Sequence, residues 1–258
     1  MINTKEHIIM LLNKEIRLDN RKLDEYRKPI TIETNISPKA EGSAKVTIGE
    51  TIVIAGIKMD VGTPFPDNPD QGNLMVNAEL LPLASPDFES GPPSIGSIEL
   101  SRVVDRGIRE SKCIDLQKLC IKKEEKVWNI FLDLYPLNDA GNLFDAAALA
   151  ALAALKDAKI PEYNEKKERV EYGTKTKKNV PLTKIPISCT LLKIGDKIIV
   201  DPTNEEEKMM DARLTIATLD NGEICALQKG GKAPLSLEDI KNMVDIALKK
   251  NKELNKLL

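Results

Sequence analysis

The stretch Ala44-Lys45-Val46-Thr47-Ile48-Gly49-Glu50-Thr51-Ile52-Val53-Ile54-Ala55-Gly56-Ile57-Lys58 decides the fold. β-Branched and apolar residues dominate both sides of Gly49-Glu50, a pair suited to a tight connection, so the run predicts an antiparallel hairpin. A third strand is expected around residues 31–36, placing three strands between Ile30 and Met59.

Upstream, Thr4 is a candidate N-cap for a short helix carrying Ile8, Leu11 and Leu12 on one side. Downstream, residues 62–97 are rich in proline and glycine and predict loops flanking one strand over 74–83. A helix over 97–111, strands over 116–122 and 127–134, and an Ala/Leu-rich helix over 143–157 follow, with Pro161 expected to stop that helix. The polar run 164–178 suggests an exposed loop or hairpin.

A second set of strands is expected over 187–193, 197–200, 212–218 and 223–228. It leads into a helix opened by Ser236 and Asp239 in a capping-box arrangement, with Ile240, Met243, Val244, Ala247 and Leu248 at helical spacing. Strands followed by helices, twice over, predict an α+β architecture of two β-α blocks. The expected division is an N-terminal helix and arm over 1–28, a core domain over 29–163, a connecting loop over 164–184 and a C-terminal domain over 185–258.

Composition narrows the functions. Of 258 residues 41% are hydrophobic but only 3% aromatic, so the core must be aliphatic. With 38 Lys+Arg against 40 Asp+Glu there is no basic tail, and any nucleic-acid site must be a local patch. The only histidine, His7, falls in the N-terminal helix, which excludes histidine triads and multi-histidine metal sites. Cys113, Cys120, Cys189 and Cys225 lack metal-ligand spacing and are expected as buried free thiols of a reducing cytosol. No leader-like or membrane-spanning run is recognisable, so a soluble, cytoplasmic chain is expected. No cofactor is expected.

In a helix over 97–111, Leu100, Val103, Val104 and Ile108 gather on one face and Arg102, Arg106 and Arg109 on the other. Guanidinium forks match phosphate oxygens, so such a row suits an RNA backbone. It equally suits a solvated face in which Asp105 makes ordinary ion pairs with its arginine neighbours. Spacing alone leaves both open. Gly230-Gly231 is expected as a turn. Asp139 and Asp145 are expected to cap and charge the helix starting near Leu143 rather than to bind metal with Asp133, and Trp128 and Phe131 to pack in a strand.

Several segments resemble the RNase PH family of phosphorolytic exoribonucleases, in the family's order and over most of the chain. Arg17-Leu18-Asp19-Asn20-Arg21 is similar to its Arg-x-Asp-Gly-Arg signature, with Asn20 replacing glycine. Ala40-Glu41-Gly42-Ser43-Ala44 resembles its Ala-x-Gly-Ser hairpin, and Ile98 through Arg109 the helix after its phosphate-site loop. The segment 137–154 stands where active members carry Asp-Gly-Gly-Thr-Arg before an alanine-rich helix. The run Val200 through Asp211 stands where they carry two acids six apart. The resemblance implies a fold of two β-α blocks, the first similar to ribosomal protein S5 domain 2.

The departures point to one branch. Where active members place a phosphate-binding arginine, this chain has Ser94-Ile95-Gly96-Ser97, and where a second should follow the glycine pair it has Gly141-Asn142-Leu143-Phe144. Leu143 and Phe144 cannot bind a dianion. Asp211 fits the second acidic position, but the first is Glu205, embedded in Glu205-Glu206-Glu207, three acids expected to repel phosphate.

These features resemble the non-catalytic ring subunits of the archaeal exosome. The resemblance implies no catalytic residue here, single-stranded RNA held by Arg102 and Arg106 with Arg109 in the same row, and no metal. It also implies a hexameric ring of three heterodimers with a catalytic RNase PH-like subunit, together with RNA-binding cap subunits. Two other readings are a phosphorolytic exoribonuclease active as its own oligomer through Glu205 and Asp211, and a ring protein without RNA contact.

Overall fold

The computed structural model describes residues 4–258 and contains two β-α blocks. The first sheet has the order β1 (Ile30–Thr34), β2 (Gly42–Ile48), β3 (Thr51–Gly62), β6 (Lys126–Asn138) and β4 (Asn73–Ala78), with β5 (Cys120–Lys122) also paired to β6. The decisive hairpin forms with Val46 opposite Val53 and Ile48 opposite Thr51, and Gly49 supplies a left-handed turn residue at φ 60°. Only β4 runs parallel to its neighbour.

The second sheet has the order β10 (Lys197–Val200), β9 (Ile187–Ile194), β11 (Ala212–Thr218) and β12 (Ile224–Gly231). Helix α3 (Leu143–Asp157) lies between the blocks, touching β2 and β3 on one side and β9 on the other. That position explains its run of alanines and leucines, buried almost without interruption from Asp145 to Leu155. A Cβ at Gly42 would lie 2.3 Å from the Ala154 carbonyl oxygen, so glycine is what lets β2 meet the end of α3. α1 (Thr4–Asn13) joins the second block: Ile8 and Leu12 pack with Leu192, Ile194 and Ile199. The final helix, α5 (Leu237–Leu254), opens with the Ser236/Asp239 capping box and buries Met243 and Ala247.

Several boundaries differ from expectation. The first long helix of the molecule, α2 (Ile95–Glu110), starts two residues early because Ser94 caps it, accepting from the Ser97 N–H. The strand expected over 74–83 ends at Ala78, and the one expected over 116–122 divides into a 3-10 turn, Leu116–Leu119, and the short β5.

Pro161 does not stop α3; the helix has already ended at Ala158, where Lys159 N–H donates to the Glu41 carbonyl, and Pro161 sits inside β7 (Lys159–Asn164). The polar run beyond pairs as a hairpin of β7 with β8 (Arg169–Asn179). Gly230 and Gly231 are not a turn but the last residues of β12, opposite Arg213 and Ala212. Of the four free thiols, Cys113 and Cys189 are buried, whereas Cys120 and Cys225 are only half-buried. Trp128 is buried in β6, edge-on to Tyr163. Among the described residues no helix is long and apolar enough to cross a membrane.

Candidate nucleic-acid interface

The faces of α2 divide as its sequence requires. Leu100, Val103, Val104 and Ile108 are buried, while Arg102, Arg106 and Arg109 are exposed. The three arginines are not equivalent. Arg109 donates to both oxygens of Asp105, at 3.0 and 2.7 Å, and to the Leu74 carbonyl at 2.9 Å, and its bond to Asp105 raises its pKa. Arg106 makes one neutral contact, donating to Gln228 Oε1 at 3.0 Å. Arg102 has no hydrogen bond or ion pair with any described residue. Two guanidiniums therefore keep most of their donors for a ligand, and the third is largely spent.

Neither expected phosphate position offers a cation of its own. Ser94 and Ser97 form the N-terminal cap of α2, with the Ser97 hydroxyl donating to the Ser94 carbonyl at 2.9 Å. Phe144 lies beneath the Arg213 guanidinium, 4.2 Å from its ring centre, and Arg213 also pairs with Glu99. Sequence reasoning missed Arg213, since nothing in the spacing of β11 shows that Phe144 and Glu99 come together around it. A Cβ at Gly230 would lie 2.7 Å from this guanidinium and would make it shift, whereas one at Gly231, where φ is 79°, would meet the Asp211 carbonyl oxygen at 2.7 Å. Arg213 is nine-tenths buried and already engaged by an acid and a ring.

The acidic residues do not form the single repelling cluster expected from Glu205-Glu206-Glu207. They lie on a short helix, α4 (Asn204–Lys208), which aims them apart. Glu206 is buried in an ion pair with Arg17, and Glu207 accepts from the Asn142 N–H at 2.9 Å. Burial pushes Glu207 up to about 7. Only Glu205 is exposed, at a cavity of about 680 Å³ that it shares with Arg21, Arg27 and Lys28. Asp211 is taken up by other partners: Lys5 of α1 and the Gly195 N–H.

A second cluster of arginines is buried where the blocks meet. Asp201 accepts from Arg21 at 3.1 Å and from Arg27 at 2.7, 2.9 and 3.0 Å; the Asn142 amide adds a bond at 2.9 Å. Asp145 does not simply charge the start of α3. It is buried and accepts from the Tyr26 hydroxyl at 2.7 Å, Asn142 Nδ2 at 2.9 Å and the Thr190 N–H at 3.1 Å, while burial raises its pKa to about 6. Asp139 accepts from the Gly141 N–H, and the cap position of α3 is taken by Asn142 in a left-handed conformation. Among the described residues no three His, Cys, Asp or Glu are grouped to hold a metal ion.

Two β-α blocks joined across a buried polar seam, with an arginine-bearing helix on the first, define a protein of the RNase PH type. The chain matches the 3' exoribonuclease family, domain 1, over residues 26–161 and domain 2 of that family over residues 184–250. It belongs to the RNase PH family. It is 47% identical over 251 residues to the exosome complex component Rrp42 of Methanothermobacter thermautotrophicus, covering 97% of this chain and 92% of that protein. With the component of the same name from Thermococcus gammatolerans it shares 49% over 260 residues, covering 98% and 93%. A chain of the solved Archaeoglobus fulgidus exosome with RNA bound to the active site superposes with a TM-score of 0.90 at 44% identity, covering 98% of this chain and 96% of that one.

Proposed function

We propose that this chain is a non-catalytic subunit of an archaeal exosome. It assembles with a catalytic RNase PH-like subunit into a hexameric ring of three heterodimers carrying RNA-binding cap proteins, and it holds single-stranded RNA through Arg102 and Arg106. In that arrangement it completes and steadies the active site of its neighbour.

The observation that carries this reading is the contrast on α2 between exposed, largely uncommitted arginines and an N-terminus where a serine cap stands in place of a phosphate arginine. Phosphorolysis needs inorganic phosphate held in line with the scissile bond by positive charge already in place. Ser94–Ser97 and Phe144 offer none, and of Glu205 and Asp211, the acids of an active member, Asp211 is already engaged by Lys5 and the Gly195 N–H. That engagement argues against an exoribonuclease active as its own oligomer. Guanidiniums without acidic partners, by contrast, are suited to a phosphodiester chain, whose charge they neutralise with release of counterions.

The test is phosphate-dependent RNA degradation by the purified chain, by the catalytic subunit and by their mixture. The chain alone releases no nucleoside diphosphates, and the mixture exceeds the catalytic subunit alone. Activity from the chain by itself would overturn the reading.

A further inference from the structure

At the C-terminal end of α2, beyond Arg109, lies a cavity of about 500 Å³ that the RNA reading does not use. Its size falls within the range of about 300–1,000 Å³ typical of small-molecule sites. The floor is aliphatic: Leu74 and Ile108 are buried, and Leu116 borders them. Such a floor accepts a flat, weakly polar ring.

The rim is polar and largely unpartnered. Lys112 lines it with its side chain exposed and in no ion pair, and Arg109 is fixed beside it by Asp105 and the Leu74 carbonyl. Gln71 and Gln117 also line the cavity, and their side-chain amides form no hydrogen bond with a described residue. Each offers a donor pair and an acceptor to a ring edge. Asp115, held by Lys118 at 3.1 Å, also lines the cavity.

We propose that this cavity binds a nucleotide, its base against the aliphatic floor between the two amides and its phosphate at Lys112. A hydroxylated ribose would then face Asp115. An apolar ligand alone would leave Lys112 and the amides unpaired, and inorganic phosphate alone would leave the floor wet. A nucleotide satisfies both. The ligand can be a free nucleoside phosphate or one residue of an RNA strand, since either presents the same groups.

The experiment is calorimetric titration of the full chain with adenosine 5'-monophosphate, adenosine and inorganic phosphate, repeated with Lys112→Gln and Gln71→Ala. The monophosphate binds roughly tenfold more tightly than adenosine, as one charge-assisted contact implies. Lys112→Gln removes that difference and leaves adenosine unchanged; Gln71→Ala weakens both. Failure of the monophosphate to bind at millimolar concentration overturns the proposal, as does inorganic phosphate binding equally well.

Competition with a short RNA identifies the source. Displacement of RNA by the monophosphate, and weaker RNA binding by Gln71→Ala, assign the site to the strand; additive binding assigns it to free nucleotide. The Arg102→Ala/Arg106→Ala variant keeps its monophosphate affinity, so this site and the proposed RNA contact on α2 succeed or fail separately.

Discussion

The molecule holds two sets of arginines that look alike in composition and differ in fate. Arg17, Arg21 and Arg27 are drawn into the seam between the blocks, where Glu206, Asp201 and backbone carbonyls take up their donors. Arg102 and Arg106 stand on α2 with one neutral side-chain partner between them. The chemistry of the side chain is the same in both places. What differs is whether the fold delivers a carboxylate, and that decides whether a guanidinium becomes structure or remains available.

The largest effect is expected from removing the acid at the seam. Asp201→Ala leaves Arg27 without the carboxylate that compensates its burial, while Arg21 keeps Asp19, and stripping one partner from a buried pair costs about 3–5 kcal/mol. Urea unfolding measures it; a loss below about 1 kcal/mol would mean that Arg27 is held by carbonyls alone.

The seam also has a pH signature of defined sign. Asp145 has a folded pKa of about 6 against 3.8 for the unconstrained group, so the folded state binds its proton more tightly. Stability from this group is therefore greatest at low pH and declines as pH rises from 3.8 to about 6, levelling off above that. Thermal melts of Asp145→Asn should show a smaller decline than the parent, the remainder coming from Glu207 with its folded pKa of about 7, and an equal pH dependence in parent and variant would contradict it.

On the exposed set, Arg102→Ala with Arg106→Ala should weaken RNA binding by an assembled ring. Removing these two phosphate-neutralising charges flattens the slope of log affinity against log salt by about 1.4. Unfolding changes by no more than about 0.5 kcal/mol, since both positions lie opposite the buried face of α2. Unchanged affinity in an intact ring would leave a solvated charge face, and loss of the ring would place the arginines in a subunit contact. Arg109→Ala sharpens the contrast most finely. Its helix pair with Asp105 should contribute only about 0.3–0.5 kcal/mol to stability, with little effect on RNA affinity.

The parts of the fold legible in sequence are those in which a local pattern and a tertiary demand agree. The 44–58 hairpin alternates because one side of the sheet is buried, and the helix over Leu143–Asp157 is apolar all round because both blocks press on it. The arginine stripe was legible for the same reason, as the outer face of an amphipathic helix. What a linear reading could not reach was the identity of distant neighbours. Glu205-Glu206-Glu207 looks like one block of charge, yet a helical turn separates successive residues by roughly 100°, and Arg17 arrives from far away to claim only the middle one. Gly230-Gly231 looks like a turn because the groups that crowd it, the Arg213 guanidinium beside Gly230 and the Asp211 carbonyl beside Gly231, come from a distant stretch of the chain. Asn20 in the Arg-x-Asp-Gly-Arg position is the converse case: its φ of 63° is one asparagine tolerates, so the substitution keeps the backbone path.

The placement of α1 carries a consequence in time. This helix is synthesised well before the strands it packs on, since the apolar surface that covers Ile8 and Leu12 is supplied by Leu192, Ile194 and Ile199. At about 5–20 residues per second, roughly ten seconds or more of synthesis separate the two. Through that interval α1 lacks the sheet it settles on, and the first block must form without it. The helix is thus among the last of these elements to find its place.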